Sequence, residues 1–199
     1  MAQIHSNPDN KCPWCLGDPL MEAYHDREWG VPVTTDHGMF EHLVLEGFQS
    51  GLSWRTVLHK REAFHAALHG FDAESLLRFT DAEREAFLAN PQVIRNRLKL
   101  EAALHNARTM VGFRDRHGKG FADYLWNFVG GTPLDGEREG SWPATSKESD
   151  ELSKVLKSEG FKFIGSTTLY AHMQATGLIN DHWTSCPRYG EVKALAQTF

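Results

Sequence analysis

The sequence predicts an all-α fold on three grounds. Apolar residues recur at i, i+3 and i+4 over most of its length, helix-capping residues stand ahead of those runs, and no two segments alternate as a strand pair would. With 199 residues, 41% hydrophobic and 24% charged, the chain is long enough for one domain with a proper core or for two small lobes. No apolar run reaches the ~20 residues that span a bilayer. The polar start, Met1 to Lys11, lacks the apolar stretch of a signal peptide. Both point to a cytoplasmic protein with no membrane partner. A formal net charge of −5 argues against a bulk electrostatic binder of nucleic acid, but not against a local basic face. Three cysteines, an odd number, argue against a disulfide framework.

Taken in order, Pro13, Gly17 and Pro19 make the first part irregular, and Met21 to Trp29 reads as a short helix stopped by Gly30. Residues 31 to 36 are extended. Phe40, Leu43, Val44, Gly47 and Phe48 then recur at helical spacing. Gly51 suits the positive φ of a helix end, and Ser53 is a good N-cap for the next helix. That second helix, carrying Trp54, Val57, Leu58, Phe64 and Leu68, is expected to run to about Gly70. Asp72 caps a short helix, and Thr80 with Glu83 forms a capping box for another, which stops around Asn90-Pro91. A long helix from Val93 to about Phe113 opens with Arg95, Arg97 and Lys99, a charge pattern that reads as a solvated face. Residues 114 to 120 form a loop, and Phe121 to Val129 an aromatic-rich helix ended by Gly130-Gly131. Residues 130 to 145 are irregular, a lobe boundary or a loop over the surface. A capped helix from Thr145 to about Ser158 and another from Thr167 to Thr176 complete about eight helices.

Four stretches bear on chemistry. Cys12 and Cys15 have the spacing of one half of a zinc site. The other half would lie far away, with His182 and Cys186 at i, i+4 and His25 as a further candidate. Such a site would clasp the two ends of the chain and be closed and structural. Residues 149 to 177 read as helix, glycine-bounded hairpin, helix. In a helix-hairpin-helix element the hairpin amides and the following helix N-terminus bind one DNA phosphate, which an acidic protein can still do. Lys162 would add a charge there, and Gly165 would allow close backbone approach. Trp14, Trp29 and Trp54 fall within the first 54 residues, near Tyr24. Enzymes acting on a base extrude it and stack it between aromatic faces. Trp54 and Tyr24 suit stacking, Glu46 suits hydrogen bonding to the base, and Leu52 suits a wedge that fills the vacated space. By position alone, Glu46 sits three residues after Leu43 on the flank of an apolar face, where most glutamates are solvated.

These residues carry a resemblance. Asp18-Pro-Leu, Ala23-Tyr-His-Asp, Glu28-Trp-Gly-Val-Pro, Leu45-Glu-Gly, Gly51-Leu-Ser-Trp and Lys60-Arg-Glu are followed by Ile94-Arg-x-Arg-x-Lys, Asn106-Ala-Arg and Ser149-Asp-x-Leu-Ser-Lys. Gly160-Phe-Lys-Phe-x-Gly, Met173-Gln-Ala and Asn180-Asp-His close the series. In this order, from Cys12 to about Tyr189, the sequence resembles the DNA-3-methyladenine glycosylase I family, bacterial alkylation-repair enzymes of the helix-hairpin-helix superfamily.

The resemblance implies a glycosylase domain over residues 12–189 between a flexible N-terminus, 1–11, and a C-terminal tail, 190–199. It implies one structural Zn2+ held by Cys12, His25, His182 and Cys186, with Cys15 a spectator. Glu46 would contact the base, Tyr24 and Trp54 stack on it, and Trp14 and Trp29 line the pocket. Leu52, Gln49, Lys162 and Gly165 would meet the DNA. The implied activity is hydrolysis of the N-glycosidic bond of 3-methyladenine by a monomer acting on double-stranded alkylated DNA, without strand cleavage. Asp181 is not in the role of the superfamily's catalytic aspartate, and its neighbour His182 suggests support of the metal site. Two departures stand out. Met21 replaces a tyrosine common beside the pocket, and Phe48 replaces a glutamine, which would alter the DNA-facing turn. A noncatalytic damage binder and a metallohydrolase are the competing readings.

Overall fold

The computed structural model describes residue 7 and residues 10–195. Most of the polar N-terminal segment, 1–11, and the last four residues lie outside the described residues. Helices dominate. Asp18 accepts from the amides of Leu20 and Met21 and so starts α1 (Pro19–Arg27), with Pro19 at the first turn, where no donor is needed. Thr35 caps α2 (Asp36–Gln49), which presents Met39, Phe40, Leu43, Val44 and Phe48 to the core. Ser53 caps α3 (Trp54–Leu58). The expected long helix to Gly70 is broken: α4 (Arg61–Ala67) follows, then a 3-10 turn, His69–Phe71. His69 and Phe71 both carry positive φ there, and Phe71 is fully buried. Burial of its ring outweighs the local cost of that backbone.

Asp72 caps α5 (Ala73–Leu76), and the Thr80–Glu83 capping box opens α6 (Asp81–Ala89). The next helix, α7 (Arg97–Val111), begins later than expected, because Asn96 caps it by accepting from the Lys99 amide. Residues 114 to 120 are not all loop, since α8 (Phe113–His117) precedes the left-handed Gly118. Then come α9 (Phe121–Phe128), α10 (Lys147–Ser158), α11 (Ser166–Ala175) and α12 (Pro187–Leu195). Residues 190–195, expected as tail, thus belong to a helix that buries Val192.

The irregular 130–145 segment is not a lobe boundary. It contributes β1 (Leu134–Asp135), which pairs in parallel with β2 (Ile179–Asn180), a small strand pair the sequence did not announce. Gly136 follows, and its backbone amide donates to the Asn180 carbonyl. A Cβ there would lie 1.9 Å from the Asp181 carboxylate, so only glycine permits this approach. One large cluster of buried side chains from α2 through α11 forms the core. A smaller cluster joins Cys12, Cys15, Met21, Tyr24, Trp29 and Cys186. It ties the start of the chain to its end.

Candidate base-binding cavity and metal cluster

A cavity of about 250 Å3 opens where the two clusters meet. It is lined by Trp14, Tyr24, Trp29, Glu46, Gln49 and Trp54, which come from three different helices and the loops beside them. The local sequence explains each placement. Tyr24 lies on the buried face of α1, and Glu46 in the last turn of α2. Trp54 opens α3 directly after its Ser53 cap. The Tyr24 and Trp54 rings lie 5.1 Å apart at 43°, and Trp14 meets Trp29 edge-on at 5.0 Å.

Glu46 is not the solvated flank residue its position alone suggests. It is 4% exposed, its carboxylate makes no hydrogen bond to any described residue, and burial pushes its carboxyl up to about 8. The Tyr24 hydroxyl and the indole N–H groups of Trp14 and Trp54 are also buried without partners. Buried polar atoms are normally satisfied. Four such groups around one cavity mark a surface shaped for a ligand that supplies the missing bonds.

The α2–α3 turn projects Leu52, 40% exposed, while Gln49 donates to the Leu52 carbonyl at 2.9 Å. The reading of the α7 opening as a solvated face holds for Arg95 and Arg97, which are exposed, and fails at Lys99. It is buried, and its ammonium donates to the carbonyls of Phe48 at 2.7 Å and Ser50 at 2.6 Å, closing the C-terminus of α2. Phe48 packs on Phe64 and Phe87 in the core and does not reach the turn's outer surface, so its departure from glutamine does not alter a DNA-facing side chain there. Met21 is buried in the smaller cluster and does not line the cavity.

Lys162 and Gly165 are exposed and lie outside the cavity, on the connection between α10 and α11. That connection is held by α7. The Asn106 side chain both accepts from the Lys162 amide and donates to its carbonyl, and His105 donates to the Gly160 carbonyl. Lys162 and Phe163 border a groove shared with Gly47 and Lys99, which places the hairpin beside the turn that carries Leu52.

Cys12, His25, His182 and Cys186 converge with their ligand atoms within 4.8 Å of one another, all buried. Cys12 Sγ lies 3.7 Å from His182 Nδ1, and Cys186 Sγ lies 3.6 Å from His25 Nε2. Tetrahedral bonds of ~2.0–2.3 Å put neighbouring donors about 3.3–3.8 Å apart, so the set fits one tetrahedral ion. The outer hydrogen bonds agree. His25 Nδ1 meets the Asp26 carboxylate at 2.8 Å, and His182 Nε2 donates to the Trp29 carbonyl at 3.0 Å, leaving the opposite nitrogen of each ring for a metal. Cys15 turns its thiol onto the Cys12 carbonyl instead. The cluster also backs the cavity: Trp14 lies against the His25 ring, and Trp29 against both His25 and His182.

Four lining residues escaped the sequence reading: Trp142, Pro143, Ala171 and Gln174. Trp142 and Pro143 come from the irregular segment. Trp142 is anchored by its indole bond to the Asp181 carbonyl and by stacking on Trp183. Its composition offered no periodic signal, and only the turn-rich context of a lone tryptophan hinted at a surface role. Asp181 does not support the metal through its carboxylate. It receives bonds from Arg138, Tyr170 and Gln174.

Comparison with known proteins gives the same assignment from independent directions. Residues 14–189 match the methyladenine glycosylase family. A relative from Escherichia coli (strain K12), DNA-3-methyladenine glycosylase 1, is 42% identical over 90% of this chain and 96% of its own. A solved 3-methyladenine DNA glycosylase I superposes with a TM-score of 0.85 at 44% identity, covering 89% of this chain and 98% of that one. A tyrosine-to-phenylalanine variant of such an enzyme, solved in complex with 3-methyladenine, superposes at 0.84 and 33% identity over 89% and 96% of the two chains. The chain belongs to the methyladenine glycosylase family.

Proposed function

We propose that the protein removes 3-methyladenine from alkylated DNA by hydrolysing its N-glycosidic bond, releasing the free base and leaving an abasic site. The observation that carries this reading is the aromatic cavity with a buried, unpartnered carboxylate in its wall. Its size suits a single heteroaromatic base. Methylation at N3 makes the base cationic within the nucleotide and a good leaving group. Contact with the Tyr24 and Trp54 rings, which at 5.1 Å lie against each other and present one aromatic wall, stabilises that cation through the ring quadrupoles, by about 0.5–2 kcal/mol. Glu46 ionises against the cation and accepts from its exocyclic amine. As the C1′–N9 bond breaks, its electron pair neutralises the base, and positive charge passes to the sugar. Water then bonds to C1′ and gives up a proton. Among the described residues no lysine lines the cavity, so the reading includes no covalent sugar adduct and no strand cleavage.

Leu52 is the wedge that occupies the space left by the extruded nucleotide, with Gln49 bracing its turn. The hairpin between α10 and α11 carries the phosphate contact through Lys162 and the amides that follow Gly165. We assign zinc to the four-residue cluster, because two thiolates and two imidazoles in tetrahedral array suit it. The ion supplies structure rather than chemistry: all four positions are protein donors, so no substrate site remains, and its ligands brace Trp14 and Trp29.

Chromatography of bases released from methylated duplex DNA tests the activity, with 3-methyladenine expected in the soluble fraction. Binding of lesion-bearing duplex without any base release would establish the noncatalytic alternative instead. Gly165→Leu probes the hairpin. Gly165 has an ordinary φ of −62°, and a Cβ there meets nothing within 4 Å, so the variant should fold normally. Its affinity for duplexes of every sequence is expected to fall several-fold, since phosphate contacts position without reading bases. Titrations against three unrelated duplexes would show this, and undiminished binding would remove the hairpin from the interface.

A further inference from the structure

Beyond the acceptor supplied by Glu46, the cavity holds a second one whose orientation is set from outside. Gln174 lies on α11 and lines the cavity. Its Nε2 donates to Asp181 Oδ2 at 2.7 Å. Asp181 is 1% exposed and is itself held by the Arg138 guanidinium at 2.7 Å and the Tyr170 hydroxyl at 2.5 Å, while Arg138 also donates to that hydroxyl at 2.9 Å. A side-chain amide has a donor end and an acceptor end, and a carboxylate that receives three donors accepts only the first. The donor end of Gln174 is therefore committed to Asp181. Flipping it would set two oxygens against each other. What remains for the cavity is the carbonyl oxygen, which bonds to no described residue.

We infer that Gln174 is a specificity-determining residue, and that Asp181, Arg138 and Tyr170 position it so that the cavity accepts 3-methyladenine and rejects 3-methylguanine; this rests on the glycosylase reading above. Position 6 of adenine carries an amine with two hydrogens, one for Glu46 and one for the Gln174 oxygen. Position 6 of guanine carries an oxygen, which would face the Gln174 oxygen with no proton between them, while Glu46 could meet it only by keeping the proton that burial leaves on it. A site built to bond a substrate N–H discriminates strongly against an analogue lacking it, because its own buried groups are then left unpaired.

The discriminating experiment measures release of both bases from one preparation of methylated duplex DNA by the parent, Gln174→Leu and Gln174→Ala, with a melting curve for each. Both variants take one donor from Asp181, which keeps those of Arg138 and Tyr170, and the smaller alanine fits where leucine does not, so it serves if the leucine variant folds poorly. The parent should favour 3-methyladenine. In the variants, release of 3-methyladenine should fall about tenfold while release of 3-methylguanine stays within about twofold, so that the ratio drops about tenfold. A proportional fall in both would assign Gln174 to packing alone and overturn the inference, as would an unchanged ratio. Failure of the glycosylase reading looks different: a folded parent would release neither base, and the inference would fall with it.

Discussion

Replacing Glu46 by glutamine is expected to slow release of 3-methyladenine while making the protein more stable. The substitution keeps the size of the side chain but replaces one of two acceptor oxygens by a donor group and removes the charge that favours a cationic base. A charge-assisted hydrogen bond contributes about 1.5–3 kcal/mol, so the expected loss is about 10- to 150-fold in single-turnover release. The stability effect has the opposite sign. Glu46 has its carboxyl raised from 4.5 to about 8 by burial. Between those values the unfolded chain has lost its proton and the folded protein keeps it. Parent stability therefore declines as pH rises from about 4.5 to about 8 and is lowest above that range. Glutamine removes this penalty. At pH 8.5 the variant should melt several degrees above the parent, and near pH 4.5 the two should converge. The activity profile should change as well: kcat/KM of the parent climbs with pH toward about 8, whereas that of the variant lacks this limb. Excision within twofold of the parent, with coincident melting curves at pH 8.5, would return Glu46 to an ordinary flank residue.

Cys12→Ser and Cys186→Ser should each release the metal and lower the melting temperature by more than any other substitution considered above, whereas Cys15→Ser should do neither. The reason is geometric. Cys12, His25, His182 and Cys186 bring their ligand atoms within 4.8 Å of one another from the two ends of the chain, so an ion held there would join those ends, and metal binding adds to folding free energy. Structural zinc in small domains contributes about 10–16 kcal/mol at neutral pH. A domain with its own core retains part of its fold without the ion, so a loss of tens of degrees rather than complete unfolding is expected. Because the cluster backs Trp14 and Trp29, loss of the ion should also weaken binding of the free base, which tryptophan fluorescence would report. Metal analysis by mass spectrometry and a melting curve for the three variants decide the ligand set. Metal loss from Cys15→Ser equal to that from Cys12→Ser would overturn this ligand set.

Local information settled the secondary structure where caps and periodicity agree. Although the same device at Asn96 is hidden by the apolar pattern that begins at Val93, Ser53, Asp72 and Thr80 each start a helix by accepting from a backbone amide three residues on, an interaction written entirely within four residues of sequence. The same is true of the turn after Glu46, where Gly51 takes its positive φ. Expectations failed where a distant contact outweighed the local preference. The helix after Trp54 breaks so that Phe71 can be buried. Lys99 leaves solvent because the end of α2 offers it two carbonyls. The segment 130–145 lies over the cavity because β2, more than forty residues later, supplies its strand partner.

The sequence by itself determined the helical class, the helix starts at Ser53, Asp72 and Thr80, and the chemical inventory: indoles, a carboxylate before a glycine turn, and cysteines and histidines at both ends. Only the tertiary structure decided which of these meet. The Cys-x-x-Cys spacing favours Cys12 with Cys15, yet Cys15 Sγ turns to a backbone carbonyl and Cys186 completes the cluster. Glu46 becomes a high-pKa group, and Gln174 an oriented acceptor, only through burial and partners brought from remote positions. Desolvation and long-range proximity are properties of packed volume, and a local run of residues does not encode them.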